Sequence, residues 1–246
     1  MKIVALNIWF YTLFVISSSV VIPLLAVQVA LWRIFHSHRS AMQRFRRAIS
    51  IYGKLVVHIP FPVIRVRYET AGQDDTAVPY IFVANHRAAS DAFLMCVLPH
   101  ELVQVVNTWP FRIPVIGLFA KLSGYLNVKR ISHEEFHARA GRLLRDGVSI
   151  VFFPEGTRSG GRTMGNFHGA AFRLALQERV AIVPLCISGN ENIPPKGSLM
   201  LRPGTIRVRR LPTLAWQEFK DLSAFALKNR VREIIQKELD AMERAA

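Results

Sequence analysis

Apolar and polar positions change rhythm twice along this chain. From Ile3 to Trp32 the run IVALNIWFYTLFVISSSVVIPLLAVQVALW carries no charged side chain. A bilayer core takes roughly 20 apolar residues in a helix. The run therefore predicts a helix able to span once with tilt, or two short helices that enter and leave one leaflet, broken near Ser17-Ser18-Ser19 or Pro23. A cleaved signal peptide is the alternative, but it expects a shorter apolar core and a small-x-small site before a polar mature chain. Here the run leads into RIFHSHRSAMQRFRRAISIYGK, where Phe35, Met42, Phe45, Ile49 and Tyr52 recur at helical spacing. That stretch predicts a basic amphipathic helix at headgroup level, with an ordinary solvated helix as the plainer reading.

Beyond residue 62 the rhythm is that of strands alternating with helices. VIRVRYE (63–69) alternates as a strand, AGQDDTAVP (71–79) is a turn, and YIFVAN (80–85) is a buried strand. SDAFLMCVL reads as helix, LVQVVN (102–107) as strand, PVIGLFAKLS as helix and GYLNVKR (124–130) as strand. EEFHARAGRLLRDG is an amphipathic helix stopped at Gly147, and SIVFFP (149–154) a buried strand, followed by the Gly-rich loop EGTRSGGRTMGNFH. GAAFRLALQER is helical, AIVPLCIS (181–188) and TIRVRRL (205–211) are strands, and SAFALKNRVREIIQKELDAMERA closes the chain as a solvated covering helix. The alternation predicts an α/β fold: one domain with a mixed, largely parallel sheet flanked by helices, preceded by an N-terminal membrane helix or two-helix membrane motif. The division expected is a membrane-associated segment over residues 1–58 and an α/β domain over 59–246.

Charge sharpens this picture. The 246 residues hold 32 Lys and Arg against 17 Asp and Glu, a formal net charge of +15. The first acid is Glu69; before it stand Lys2, Arg33, Arg39, Arg44, Arg46, Arg47, Lys54, Arg65 and Arg67. Cations directly after an apolar run place residue 33 onward on the cytoplasmic side by the positive-inside rule. The surplus favours an anionic partner, and its position beside the apolar run favours lipid over nucleic acid. Cys96 and Cys186 each sit in an apolar stretch and read as reduced buried thiols rather than a disulfide. No Cys/His set has zinc spacing, so no metal is expected.

Two stretches follow buried strands, where α/β sheets gather their chemistry. NHRAASD (85–91) sets a histidine and an aspartate five positions apart, a spacing that does not share one helix face. His86 therefore belongs in the turn after the strand and Asp91 in the first turn of the next helix. From there the carboxylate can hold one imidazole nitrogen and leave the other free to take a proton from a hydroxyl. That is the base and orienter of a catalytic triad without its serine; Ser90 lies in no nucleophile-elbow pattern. Spacing alone fits a surface histidine beside a capping aspartate better than a catalytic pair; the second stretch changes that balance. FPEGTRS (153–159) adds Glu155, able to accept from a hydroxyl or hold an arginine, Gly156 for close backbone approach, and Arg158 for a phosphate.

Together, NHRAASD and FPEGTRS resemble the hallmarks of the glycerolipid acyltransferases, in particular bacterial 1-acyl-sn-glycerol-3-phosphate acyltransferases. RIPVIGLFAKLSGYLNVKR, ending in Arg130, resembles that family's second block, and VAIVPLCIS, with Pro184, its fourth; the likeness covers roughly residues 60 to 212. The resemblance implies transfer of an acyl group from acyl-CoA or acyl carrier protein to the sn-2 hydroxyl of a lysophosphatidate. His86 and Asp91 would be catalytic, with Glu155, Gly156, Thr157, Arg158 and Arg130 on the acceptor. Backbone N–H groups near the motif would face the oxyanion, and neither metal nor other cofactor is implied. It also implies a home on the inner membrane, the catalytic domain facing the cytoplasm.

The chain departs from the family pattern in two places. Many relatives carry lysines where this chain has Asn107 and Thr108, and Phe-Lys-x-Gly where it has FHGA with His168. Fewer cations keep a lysophospholipid with a larger headgroup, or a lyso-ornithine lipid, open as acceptor, unless Arg87 or Arg173 takes over. Two rivals from other classes are a lipid hydrolase in which the His–Asp pair activates water, and a non-enzymatic binding module for membrane or nucleic acid.

Overall fold

The computed structural model describes residues 2–71, 75–112, 116–159, 163–195 and 197–245. Parts of the expected 71–79 turn, of the start of PVIGLFAKLS and of the Gly-rich loop lie outside the described residues.

The apolar run forms one helix, α1 (Lys2–Phe35), unbroken at the serines and at Pro23. At the serines the Ser17 and Ser18 hydroxyls both bond the Tyr52 hydroxyl, at 2.8 and 2.7 Å. Helix α1 is patterned inside out. Its buried residues are Asn7, Ser18 and Ile22, while Ile8, Leu24, Val27, Leu31 and Phe35 are more than half exposed. It is long and apolar enough to cross a membrane, so its outward face associates the chain with lipid.

Helix α2 (His38–His58) begins on Ser37, whose hydroxyl accepts from the Ser40 N–H at 3.3 Å. The expectation of a helix at headgroup level is corrected for one face. Met42, Phe45 and Ile49 are buried against Ile22 of α1, with Phe119 and Leu122 beside them. Arg46, also buried, anchors that face: it donates to the Ser123 carbonyl (2.9 Å) and to Glu101 (2.8 Å). Arg39 makes two further bonds to the same carboxylate at 2.7 Å. The hairpin is thereby held on the domain through one shared acid. Only Ile51 and Leu55 keep a large apolar surface outward on α2.

Seven strands form one sheet in the order β1-β7-β6-β2-β5-β3-β4. They are β1 (Ile64–Thr70), β2 (Ile81–Ala84), β3 (Leu102–Val106), β4 (Leu126–Asn127), β5 (Ser149–Phe152), β6 (Ile182–Ser188) and β7 (Gly204–Arg210). Every pairing is parallel except β6 with β7. The continuous apolar runs of β2, β5 and β6 are buried on both faces, as strands of a covered parallel sheet are. The helices are α3 (Asp91–Leu94), α4 (Ile116–Leu122), α5 (His133–Arg145), α6 (Ala170–Glu178) and α7 (Ala224–Arg244). SDAFLMCVL gives only the single turn α3 and a 3-10 turn, Met95–Val97. GYLNVKR gives a two-residue strand, because the Asn127 side chain and carbonyl accept from Lys129 N and Arg130 N and turn the chain. Helix α7 covers the sheet through Leu227, Val231, Ile235 and Leu239, all fully buried.

Candidate active site

The chain leaves β2 through Asn85, which is fully buried. Its side chain continues the sheet's bonding across to β6, accepting from Ile187 N (2.7 Å) and donating to Ile187 O (2.9 Å). The next residue therefore emerges at the carboxyl end of the sheet, and that residue is His86. Asp91 opens α3, where the sequence spacing put it, and its Oδ2 lies 2.8 Å from His86 Nδ1. The same oxygen accepts from Arg87 N (2.7 Å) and Ala88 N (3.0 Å). Oδ1 accepts from the Asn190 side-chain amide. Both carboxylate oxygens are thus fixed, and one imidazole nitrogen, Nε2, is left uncommitted.

The loop after β5 grips the His86 backbone. Glu155 Oε1 accepts from His86 N at 2.7 Å, and its Oε2 from Gly165 N at 2.7 Å. Ser159 donates to His86 O through its N–H (2.8 Å) and hydroxyl (3.2 Å). Phe153 packs under the imidazole, with ring centroids 4.7 Å apart. Burial pushes the Glu155 carboxyl above its ordinary value, while the two N–H donors partly counter it. Among the described residues the Glu155 carboxylate takes backbone N–H partners rather than a side-chain hydroxyl or an arginine.

His86 opens on a cavity of about 830 Å3. Gly156, Thr157, Arg158, His168 and Arg173 line its polar end, together with Asn107. Gly156 has φ +69°, and a methyl there would stand 3.2 Å from the His168 ring, so the turn and the ring sit together. Among the described residues no carboxylate lines the cavity, and neither Arg158 nor Arg173 has an acidic partner. The cavity then runs between the helical hairpin and the sheet, past Phe14, Ile22, Ile49, Val56, Phe93 and Cys96. This shape has a charged mouth, a base and an apolar bore.

Of the expected residues, His86, Asp91, Glu155, Gly156, Thr157 and Arg158 come together. Arg130 sits exposed in the turn after β4, outside the cavity wall. Arg87 is corrected as a stand-in cation: it is buried and paired with Glu191 and Glu243, facing α7 rather than the cavity. Asn85 and Ser159 lie at the ends of the two quoted motifs but were given no role there, and Asn190 was not singled out, since an isolated polar residue after a strand carries no signal of its partner.

A largely parallel sheet with a His–Asp pair at its carboxyl end, beside an apolar bore, sets a group able to take a proton from a hydroxyl next to a space for an apolar chain. Residues 65–188 match the profile of the acyltransferase family, and the chain belongs to that family. It is 30% identical over 207 residues to a chloroplastic 1-acyl-sn-glycerol-3-phosphate acyltransferase of Arabidopsis thaliana, covering 82% of this chain and 57% of that one. It is also 30% identical over 190 residues to the human 1-acyl-sn-glycerol-3-phosphate acyltransferase alpha, covering 75% of this chain and 67% of the human protein. The chain thus spans little more than half the length of the first of these. Its fold is that of the crystal structure of a 1-acyl-sn-glycerophosphate acyltransferase from Thermotoga maritima, with a TM-score of 0.79 at 20% identity over 98% of this chain and 96% of that one.

Proposed function

We propose that the protein transfers a fatty acyl group from acyl-CoA or acyl carrier protein to the sn-2 hydroxyl of 1-acyl-sn-glycerol-3-phosphate, giving phosphatidate. The observation that carries this reading is the His86–Asp91 pair opening onto a cavity with a cationic mouth and an apolar bore. His86 Nε2 takes the proton of the acceptor hydroxyl as its oxygen attacks the thioester carbon. The tetrahedral adduct collapses, the carbon–sulfur bond breaks, and the departing thiolate takes the proton back from the imidazolium. Asp91 holds the ring in the right tautomer throughout. Arg158 and Arg173, without an acidic partner among the described residues, suit a phosphate monoester, and support lysophosphatidate over a headgroup without one.

The helical hairpin belongs in one leaflet under this reading. Helix α1 touches the rest of the protein along its length, from Asn7 on Leu201, through Phe14 on Phe93, to Trp32 beneath Arg44. A helix bound side-on in this way lies along the membrane with its apolar face in the acyl region, on the cytoplasmic side of the inner membrane.

The test uses purified protein in detergent, labelled long-chain acyl-CoA or acyl carrier protein, and three acceptors: lysophosphatidate, a lysophospholipid with a larger headgroup, and lyso-ornithine lipid. Phosphatidate should form, and His86→Ala should lower its rate by roughly 10²–10⁴. Free fatty acid released without any acceptor would replace this reading with hydrolysis.

A further inference from the structure

We propose that Asn190 is a positioning residue of the acyl-transfer site, holding Asp91 so that the His86 imidazole stays in its reactive orientation. The inference rests on the transfer reading above. Asn190 is fully buried, and its side-chain amide donates to Asp91 Oδ1, the one carboxylate oxygen that the His86–Ala88 turn leaves free. The turn grips Oδ2 alone, so the carboxylate would otherwise be able to swing about that oxygen. Asn190 blocks the swing from a different element, the loop after β6.

Three features of that loop point the same way. Gly189 has φ +80°, and a methyl there would stand 2.2 Å from the Thr205 carbonyl. Only glycine lets the chain turn so tightly over β7 and bring the next residue under Asp91. Glu191 then ties the loop to Arg87, which also binds Glu243 of α7, so the loop is fixed to the same turn that carries His86. Lastly, the side-chain amide oxygen of Asn190, Oδ1, is buried with no partner among the described residues. An unsatisfied buried acceptor is unfavourable, and packing alone would select an apolar side chain there. The position keeps an amide because its N–H is needed.

The distinguishing variant is Asn190→Asp, nearly isosteric, which sets a second carboxylate against Asp91. Two carboxylates at hydrogen-bond distance share one proton, so the bridge is restored only when a proton is bound. The other charged or titratable groups around this pair are His86 and Arg87 on the turn, Glu155 beyond β5, Glu191 on the loop and Glu243 on α7, and none of them changes in the variant. The expected result is a kcat for lysophosphatidate acylation reduced by about tenfold or more at alkaline pH. The ratio of variant to wild-type kcat then rises as pH falls, while KM for lysophosphatidate stays within about threefold, as expected when an interaction acts on the transition state alone. A merely structural role would lower the melting temperature without bending this ratio. Should Asn190→Asp not fold, Asn190→Ser and Asn190→Ala take its place: serine keeps a donor and should retain more kcat than alanine. The proposal is overturned by a pH-independent ratio in Asn190→Asp, or by alanine equal to wild type, in protein whose activity His86→Ala still abolishes. A wild-type protein that transfers no acyl group to any acceptor overturns the transfer reading instead.

Discussion

Glu155 places two demands on one carboxylate, and they answer to pH in opposite senses. Its oxygens accept from His86 N and Gly165 N, and burial raises its proton affinity above the ordinary value. Below the raised value a hydroxyl replaces one acceptor and faces an N–H donor, so the grip on His86 loosens. Activity should therefore fall on the acid side at higher pH than an exposed glutamate would cause. Stability runs the other way: between the ordinary and the raised value the folded chain keeps a proton that the unfolded chain has released, so this group's contribution declines as pH rises through that window. Glu155→Gln, with an amide donor permanently facing one of the two N–H groups, should be slow at every pH and lack this part of the acid limb. A pH profile of kcat beside one of melting temperature checks both signs. The His–Asp pair was legible because a strand end and a five-residue spacing restrict where both side chains can lie. The partners of Glu155 were not: hydrogen bonds to a backbone 69 residues away in sequence leave no mark on residue type. Asn190 escaped for the same reason, and the role of Asn85, though it opens the quoted motif, was hidden likewise.

At the scale of elements, buried strands were read correctly from apolar runs, since a parallel sheet covered on both faces leaves no alternation to misread. Ends were read less well. GYLNVKR has strand-like residues, yet Asn127 turns the chain after two of them. Helix α2 was read by its charges as a lipid-facing helix, whereas Arg39 and Arg46 meet Glu101, which lies far along the sequence in another element. Its inner face also forms part of the cavity wall at Gly53, where a methyl would stand 2.3 Å from Cys96 Sγ. It would also stand 2.7 Å from Cys96 Cβ, a contact that rotation of the thiol does not relieve, so α2 and the 3-10 turn must part or the bore must narrow. Gly53→Ala should depress use of long acyl donors relative to short ones by roughly tenfold, measured as kcat/KM across a series of acyl-CoA chain lengths. An unchanged preference would take this crossing out of the chain-binding region.

For the whole molecule, the long apolar run announced lipid, but length and hydropathy could not say whether the helix crosses the bilayer. The in-plane placement proposed above rests on which residues face the protein, Asn7 and Ser18 among them, and that depends on partners at Leu201 and Tyr52. The in-plane placement predicts that both ends of α1 lie on one side of a membrane. Cysteines introduced one at a time as Lys2→Cys and His36→Cys should both react with an impermeant maleimide from the same side of sealed vesicles. The native thiols stay silent in this experiment, because burial pushes Cys96 and Cys186 up to about 12. If one end reacts only after the vesicles are lysed, α1 spans.

The inside-out pattern of α1 also bears on how fast such an enzyme can be made to run. Phe14, Ser18 and Ile22 of this helix form one wall of the cavity, while the opposite side of the same helix carries the outward apolar residues. The bore and the outward apolar face are thus separated by the thickness of a single helix. With α1 in the leaflet, an acceptor reaches His86 by lateral diffusion and never crosses water. The quantity that governs turnover is then its mole fraction in the bilayer, not its amount per litre, and diluting it with inert lipid slows the enzyme even when the total in the tube is unchanged.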